Sequence, residues 1–202
     1  MNTIHAEIQK KYRAFREVID PWSRLGTRKF TGGTLRIGHI PHCAPEGYLH
    51  ALFAGLEDSE LRDLQNEIDR EFHKTLQKLM RLHNGMNLFN GQLSVYGLRT
   101  SYRRSEIDMM MEQPFDMVQL NTMERPDFAP GRLVFIGSIG DDRQRIAMNA
   151  DGSIGIWDGR EAKLREPMYE SAFDLLVEEV RRMNRLFDRA GRRIDSQDCI
   201  TS

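Results

Sequence analysis

The chain has 202 residues, of which 40% are hydrophobic and 29% are charged, and its formal net charge is -1. This length suits one domain, or one domain with an extension, and the composition is typical of a soluble globular protein. A charge so close to zero gives no bulk attraction to nucleic acid or to anionic lipid. The two cysteines, Cys43 and Cys199, exclude a disulfide-rich secreted framework and fit a reducing cytoplasm. We therefore expect a cytoplasmic protein that binds neither nucleic acid nor membranes.

Neither the ends of the sequence nor its apolar runs carry a convincing targeting or membrane signal. The first residues lack the charged-then-apolar order of a signal peptide, and no apolar run approaches the roughly 20 residues that span a bilayer. The last four residues, which begin at Cys199, match the C-a-a-X pattern of prenylation. Their third position is Thr201, however, and no basic residues precede them. A single lipid without a second signal anchors weakly, so we interpret the match as coincidence.

Apolar residues recur at helical spacing over residues 4–19, 61–80 and 173–187, which predicts three amphipathic segments. The first must end before Pro21, because proline cannot continue a helix. The third is expected to begin at Ser171, whose hydroxyl can cap the first turn. Its C-terminal half is rich in cations, which the helix dipole favours there; these are Arg181, Arg182, Arg185 and Arg189.

The second segment carries further boundary signals. Asp58 or Ser59 can cap its start through a short oxygen-bearing side chain. The pattern is compatible with one helix or with two helices that break near Asp69. Asn84 and Gly85 are predicted to end it as a left-handed cap, because both tolerate a positive φ.

Two glycine-containing pairs predict β-hairpins. Asn90-Gly91 lies between two apolar segments and is typical of a type I′ turn. Asp151-Gly152 separates two strand-like segments in the same way and predicts a second hairpin. Residues 132–137 are predicted to form a further strand. Helices combined with hairpins, without βαβ crossovers, predict an α+β fold with a mostly antiparallel central sheet and helices packed against it.

Four residues of metal-binding type lie close together in the sequence: His39, His42, Cys43 and His50. A structural zinc ion needs four such groups that converge tetrahedrally. The adjacency of His42 and Cys43, in a loop stiffened by prolines, argues against convergence. We predict a surface loop with no metal or other cofactor, and we keep a metal-dependent hydrolase using His39, His42 and His50 as the alternative.

Other candidate sites are explained more simply by local structure. Residues 147–158 partly match a calcium-binding loop, but Ala147 stands where a carboxylate is needed, and a hairpin turn is preferred. Asp141 and Asp142 could be catalytic carboxylates, although a solvated turn accounts for both. Cations and tyrosines within residues 96–104 could bind single-stranded nucleic acid, yet acidic residues follow at once; the set is Tyr96, Arg99, Tyr102, Arg103 and Arg104, followed by Glu106 and Asp108. No serine, cysteine or threonine has a nucleophile motif around it, so no catalytic residue is predicted.

Several short pieces within residues 58–191 follow one another in a familiar order. They are LMRLHNGMNLF at 79–89, LSVYGLR at 93–99, QPFD at 113–116, VFIG at 134–137, RIAM at 145–148, DG at 151–152, WD at 157–158 and RLFD at 185–188. This order resembles the SUKH superfamily, specifically its Smi/Knr-like domain. One departure is Ile68-Asp69, where such domains usually have an apolar residue followed by proline; without it the two helices could run on as one.

The resemblance implies a division of the chain and a structural role for particular residues. Residues 1–57 would be an N-terminal extension that packs on the main domain, residues 58–191 the SUKH domain, and residues 192–202 a C-terminal tail. The residues that would serve the fold rather than any chemistry are Asn84, Gly85, Phe89, Tyr96, Gly137 and Trp157.

The resemblance also implies a non-enzymatic protein-binding module. Bacterial members are similar to immunity proteins, which bind and neutralise a cognate toxin, often a nuclease, by occluding it. With a net charge of -1, docking to a basic toxin would need local acidic clusters, and the candidates are Glu57, Asp58 and Glu60, with Asp141 and Asp142. Both clusters are equally compatible with solvated helix starts or turns. A regulatory adaptor of the same fold, without a toxin partner, is the alternative.

Overall fold

The structure, a computed structural model, describes residues 3–102 and 110–194. Four residues weighed above for nucleic-acid binding, Arg103, Arg104, Glu106 and Asp108, lie outside the described residues, as does the C-terminal pattern that begins at Cys199. Among the helices that the structure describes, none is long and apolar enough to cross a membrane.

The helices alternate with groups of strands along the chain. They are α1 (Thr3–Ile19), a 3₁₀ helix (Asp20–Leu25), α2 (Asp58–Ile68), α3 (Lys74–Leu82), α4 (Met117–Asn121) and α5 (Ala172–Asn184). The strands are β1 (Thr27–Lys29), β2 (Leu35–His39), β3 (Tyr48–Ala54), β4 (His83–Leu88), β5 (Leu93–Val95), β6 (Val134–Ile139), β7 (Gln144–Met148), β8 (Ile154–Asp158) and β9 (Lys163–Tyr169).

Nine strands of the described chain form one sheet in sequence order, and each neighbouring pair is antiparallel. The predicted α+β fold with an antiparallel sheet is therefore confirmed. At the first predicted hairpin, Asn90 and Gly91 have φ values of 55° and 85°, and the Gln92 N–H donates to the Phe89 carbonyl at 3.2 Å. The second predicted hairpin joins β7 to β8 through Gly152, with φ 92°.

The helix boundaries differ in part from the sequence prediction. The break near Asp69 is present: this residue caps α2 with φ 55°, and α3 begins five residues later. The prediction that Asp58 or Ser59 caps α2 is wrong, because the N-cap is Glu57. Its N–H group donates to Glu60 Oε2 at 2.8 Å, so the carboxylate three residues further on satisfies this N–H at the helix start.

The prediction that Asn84 and Gly85 form a helix cap is also wrong, since α3 ends at Leu82 and both residues lie inside β4. The Asn84 side chain instead bonds to Leu98 in both directions: Oδ1 accepts from the Leu98 N–H at 2.6 Å and Nδ2 donates to the Leu98 carbonyl at 2.8 Å. Gly85 has φ 81°, and a Cβ there would lie 2.6 Å from the Val95 carbonyl oxygen. The glycine is needed here because β4 and β5 approach closely at a position with positive φ. The sequence alone does not distinguish such a position from the end of a helix.

The segment before residue 58 shares the sheet and core of the residues that follow. It supplies α1 and β1–β3, and Leu52 of β3 pairs with Met86 of β4. Helix α1 packs beside α5, with Phe15 fully buried, and the Trp22 indole N–H donates to Asn184 Oδ1 at 2.9 Å. The limits of the three predicted regions stay a prediction, but residues 3–57 join the rest through strand pairing.

Apolar side chains are buried on both faces of the sheet. In β6, Val134 and Ile136 belong to the main core beneath the helices. Phe135 points to a second, smaller core that includes Leu120 of α4 and Trp157 of β8. This division follows because successive side chains of a strand point to opposite faces of the sheet. Helix α5 packs on the face that carries the main core.

Candidate functional site

A cleft of about 700 Å³ opens between α5 and the strands β6–β9. Its apolar part includes Ile139 and Ile156, and its polar part has both charge signs. The polar lining consists of Asp142, Gln144, Tyr169, Glu178, Glu179, Arg181, Arg182 and Arg185. An apolar floor with a few convergent polar groups is the usual composition of a binding site.

The best-defined polar group of the cleft is the carboxylate of Glu179, a residue that is only 5% exposed. Its Oε1 accepts from the Tyr169 hydroxyl at 2.7 Å, and its Oε2 accepts from Arg182 Nε and Nη2 at 2.9 and 2.6 Å. Such charge-assisted hydrogen bonds compensate the desolvation of a buried carboxylate. The arrangement fixes the Arg182 guanidinium at the cleft, where 53% of its side chain remains exposed.

The protonation state of this cluster follows from its surroundings. Burial, followed by the hydrogen bond and the charge of Glu179, raises the pKa of Tyr169 above its ordinary value. The phenol therefore stays protonated and acts as a hydrogen-bond donor. Both oxygens of Glu179 accept hydrogen bonds, so the cluster positions the Arg182 guanidinium at the cleft.

On the other side of the cleft, Asp142 is held by a short relay of side chains. Arg165 Nη2 donates to Gln144 Oε1 at 2.8 Å, and Gln144 Nε2 donates to Asp142 Oδ2 at 2.8 Å. Asp142 lies in the turn between β6 and β7 and belongs to the cleft lining. The cleft thus presents a carboxylate from this turn together with arginines from α5.

Asp141, the neighbour of Asp142, is held separately. Its oxygens accept from Arg193 Nη1 at 2.6 and 2.8 Å, and Gln92 Nε2 donates to Oδ1 at 2.6 Å. These contacts, with the Arg193 hydrogen bonds first, lower the pKa of Asp141. Because 66% of its side chain is exposed, Asp141 is a fixed negative charge at the surface. Each of the two aspartates has its own partners.

The other predicted acidic cluster lies at the start of α2. Arg81 Nε donates to Asp58 Oδ1 at 2.7 Å, which lowers the pKa of Asp58. The Asp58 side chain is still 68% exposed. Glu57 and Glu60 form the helix cap described above, and the lining of the cleft beside α5 does not include this cluster.

The four residues considered as metal ligands are not brought together. His50 is fully buried, accepts a long hydrogen bond from the Phe89 N–H at 3.4 Å and has its pKa lowered to about 3 by burial. His39 Nε2 donates to the Pro45 carbonyl at 2.9 Å, while His42 and Cys43 are exposed. Throughout the described residues, no group of three or more His, Cys, Asp or Glu could hold a metal ion.

The residues that the resemblance assigned to the fold occupy packed positions. Phe89 is fully buried and meets the ring of His50 edge-on, with centroids 4.6 Å apart. Trp157 meets Phe135 edge-on at 5.8 Å, and the Tyr96 hydroxyl lies 3.4 Å from Ser138 Oγ. A Cβ at Gly137 would overlap the Ser94 carbonyl oxygen.

Sequence reasoning identified Asp142 as a candidate but missed Tyr169, Glu179 and the position of the α5 arginines at the cleft. The arginines were explained by the helix dipole alone, because nothing local indicates that they face a cleft. Glu179 follows another glutamate in an amphipathic helix and looks like a surface residue. Its burial depends on β9, which the sequence did not predict.

No protein-family model matches the chain, and no curated protein matches it. The fold and the cleft define the molecule as an α+β protein with a charged cleft between its last helix and its sheet.

Proposed function

We propose that this chain is a non-catalytic protein-binding module that acts in the cytoplasm and docks a partner protein at the cleft beside α5. The observation that carries the proposal is that the β6–β7 turn, selected from the sequence as a partner-binding element, contributes Asp142 to this cleft. Asp141 and Arg182 are fixed nearby by internal ion pairs. Charges that are already ordered lose little conformational freedom when a partner binds.

The charge pattern favours a specific protein surface as the occupant. The cleft lining combines arginines and carboxylates with apolar residues, and a partner must match both signs of charge to bind. Such complementarity gives specificity and speeds association. The Glu179 carboxylate accepts hydrogen bonds from Tyr169 and Arg182, which is an arrangement that holds the arginine in place. This cluster therefore supports binding over catalysis.

The SUKH resemblance supports a bacterial toxin as the partner, with inhibition by occlusion of the toxin's active site. The exposed carboxylates of Asp141 and Asp58 would oppose basic residues of a nuclease. Glu57 and Glu60 would add to the second acidic cluster. A regulatory adaptor that uses the same cleft for another protein is the alternative, and the genes that flank this one separate the two.

The test is coexpression of this chain with the toxin module encoded beside its gene, followed by calorimetric titration of the purified pair. We expect the chain to restore growth, and we expect Asp142→Arg and Arg185→Glu each to weaken binding at least tenfold. The matched controls are Glu17→Arg and Arg13→Glu, two exposed residues of α1 outside the cleft and both acidic clusters, which should bind as the unmodified chain does.

Two outcomes would contradict parts of the proposal. Unchanged affinity in both cleft variants would remove the cleft beside α5 as the docking site. Absence of any neighbouring toxin gene, together with binding of a different protein that Asp142→Arg abolishes, would favour the adaptor.

A further inference from the structure

Glu179 places a carboxylate in the buried face of α5. Its neighbours one helical turn before and after, Leu176 and Met183, are buried apolar residues. An apolar side chain would pack at this position without the cost of desolvating a charge. Buried ion pairs can often be replaced by apolar residues with no loss of stability. Packing alone therefore gives no reason for a carboxylate at this position.

Tyr169 fixes this carboxylate from the neighbouring strand. The tyrosine is buried at the end of β9, where it pairs with Ile154 of β8. Its hydroxyl donates to Glu179 Oε1 at 2.7 Å. Because strand pairing and burial hold the tyrosine in place, its hydroxyl fixes the position of this carboxylate oxygen. Glu179 is therefore anchored to the sheet through Oε1, and Oε2 accepts from Arg182.

Arg182 is held along one edge of its guanidinium. Its Nε and Nη2 atoms donate to Glu179 Oε2 at 2.9 and 2.6 Å. A guanidinium has five N–H groups, so these two bonds leave three. More than half of the side chain is exposed at the cleft. The remaining N–H groups can therefore donate to an oxygen acceptor of a docked protein.

We propose that Tyr169 and Glu179 are positioning residues, which hold the Arg182 guanidinium so that its remaining N–H groups donate to an oxygen acceptor of the docked partner. This role rests on the proposed function, because it needs a partner at the cleft beside α5. A planar guanidinium that is already held along one edge loses less freedom on binding than a mobile one does. The benefit appears in the affinity of the partner rather than in the stability of the free chain.

The first test examines the guanidinium in the full ¹⁵N-labelled chain without a partner. The Nε–H signal of Arg182 is assigned by its loss in Arg182→Lys. The hydrogen bond to Glu179 should slow exchange of this proton with water, and Tyr169→Phe should speed the exchange by about threefold or more. The matched control is Tyr48→Phe, a tyrosine of β3 outside the cleft lining, which should leave the exchange rate unchanged. Equal rates in the unmodified chain and in Tyr169→Phe would overturn the proposal.

The second test measures binding of the toxin module encoded beside the gene, by calorimetric titration. Tyr169→Phe should weaken binding about fivefold, the usual effect of one hydrogen bond, and Arg182→Ala about tenfold. In the Arg182→Ala background, Tyr169→Phe should cause no further loss, because the tyrosine acts only through the arginine. A tyrosine with a purely structural role would weaken binding equally in both backgrounds, and that result would overturn the proposal.

Thermal stability separates positioning from packing. Tyr169→Phe combined with Glu179→Leu replaces the polar contact with apolar groups. This double variant should keep the melting temperature at or above that of the unmodified chain, while toxin binding falls about as far as in Arg182→Ala. A clear loss of stability would assign the contact to the fold and overturn the positioning role.

The positioning role and the proposed function fail separately. If the unmodified chain does not bind the toxin, the proposed function is contradicted, and the exchange rate of the Arg182 Nε–H group still decides whether Tyr169 positions the arginine. If Asp142→Arg weakens toxin binding and Tyr169→Phe does not, the docking site stands and the positioning role is overturned.

Discussion

At the residue scale, Gly137 shows how closely two strands approach in this sheet. It pairs with Val95, and a Cβ at this position would overlap the Ser94 carbonyl oxygen. The obstacle is backbone, which cannot rotate away as a side chain can. We expect Gly137→Ala to lower the free energy of unfolding by about 2–3 kcal/mol, in the range of overpacked sites, as measured by urea unfolding.

The control for this change is Gly131→Ala. The nearest atom to a Cβ at Gly131 lies 3.8 Å away, which is an ordinary contact distance. This substitution should change the free energy of unfolding by no more than about 0.5 kcal/mol. Equal losses at Gly137 and Gly131 would show that the strand contact is not the cause.

Two histidines, the buried His50 and the half-buried His83, make stability depend on pH. His83 Nε2 accepts from the Tyr12 hydroxyl at 2.8 Å, and Nδ1 donates to the Phe53 carbonyl at 3.3 Å, since that carbonyl can only accept. Burial lowers the pKa of His83 to about 4 and that of His50 to about 3. Both rings are therefore neutral in the folded protein at pH values where the unfolded chain is already protonated.

Because these pKa values are depressed in the folded state, the unfolded state binds more protons than the folded state does once the pH falls below about 6.5. The stabilisation is fully present above that pH and decreases towards pH 4. Each histidine should lower the free energy of unfolding by about 1.4 kcal/mol per pH unit in this window. Urea unfolding at pH 7, 6 and 5 measures the slope. His50→Leu should reduce it by about half, whereas exposed His42→Leu should leave it unchanged.

At the scale of single elements, Asp69 ends α2 in a left-handed conformation with φ 55°. A residue with a Cβ is strained there, and glycine is not. We expect Asp69→Gly to raise the free energy of unfolding by about 0.5–1 kcal/mol. Asp69→Pro should do the opposite, because proline fixes φ near -65°. The melting temperatures of the two variants should therefore move in opposite directions.

The matched control lies in the middle of α2. Asp63→Gly introduces the same residue where helical φ is required, and it should destabilise the chain by about 0.5 kcal/mol. Stabilisation by glycine at both positions would mean that loss of the aspartate charge, rather than relief of backbone strain, explains the effect.

The same elements show why some structure was predictable. The long helices and the turns at Asn90-Gly91 and Asp151-Gly152 are specified by local patterns, namely helical spacing and residues that accept positive φ. Strands β1 and β9 carry no such pattern, and their pairing with β2 and β8 defines them. Helix α4 has only five residues, too few to show a helical period.

The candidate site was likewise predictable from the sequence only in part. Asp142 was identified because acidic pairs in a turn are visible in the sequence. The Glu179 cluster was missed, because it needs β9 to bring Tyr169 against α5, a contact of tertiary origin.

At the scale of the whole molecule, the sheet runs through the chain without a gap. Residues 3–57 supply three strands that continue the order of the other six. An ion pair between Lys11 Nζ and Asp174 Oδ1 at 2.8 Å connects α1 to α5. Removing this segment would expose the edge of β4 and one side of α5, and exposed edges of this kind favour aggregation.

This continuity predicts that the chain unfolds as one cooperative unit. The two tryptophans allow a direct test, because Trp22 lies within residues 3–57 and Trp157 lies in β8. In Trp157→Phe only Trp22 reports on unfolding, and in Trp22→Phe only Trp157 does. Within each variant, tryptophan fluorescence and far-ultraviolet circular dichroism should give the same urea midpoint. If residues 3–57 formed a separately folding extension, the Trp22 signal would change at a different urea concentration from the circular dichroism signal, and the single-unit view would be wrong.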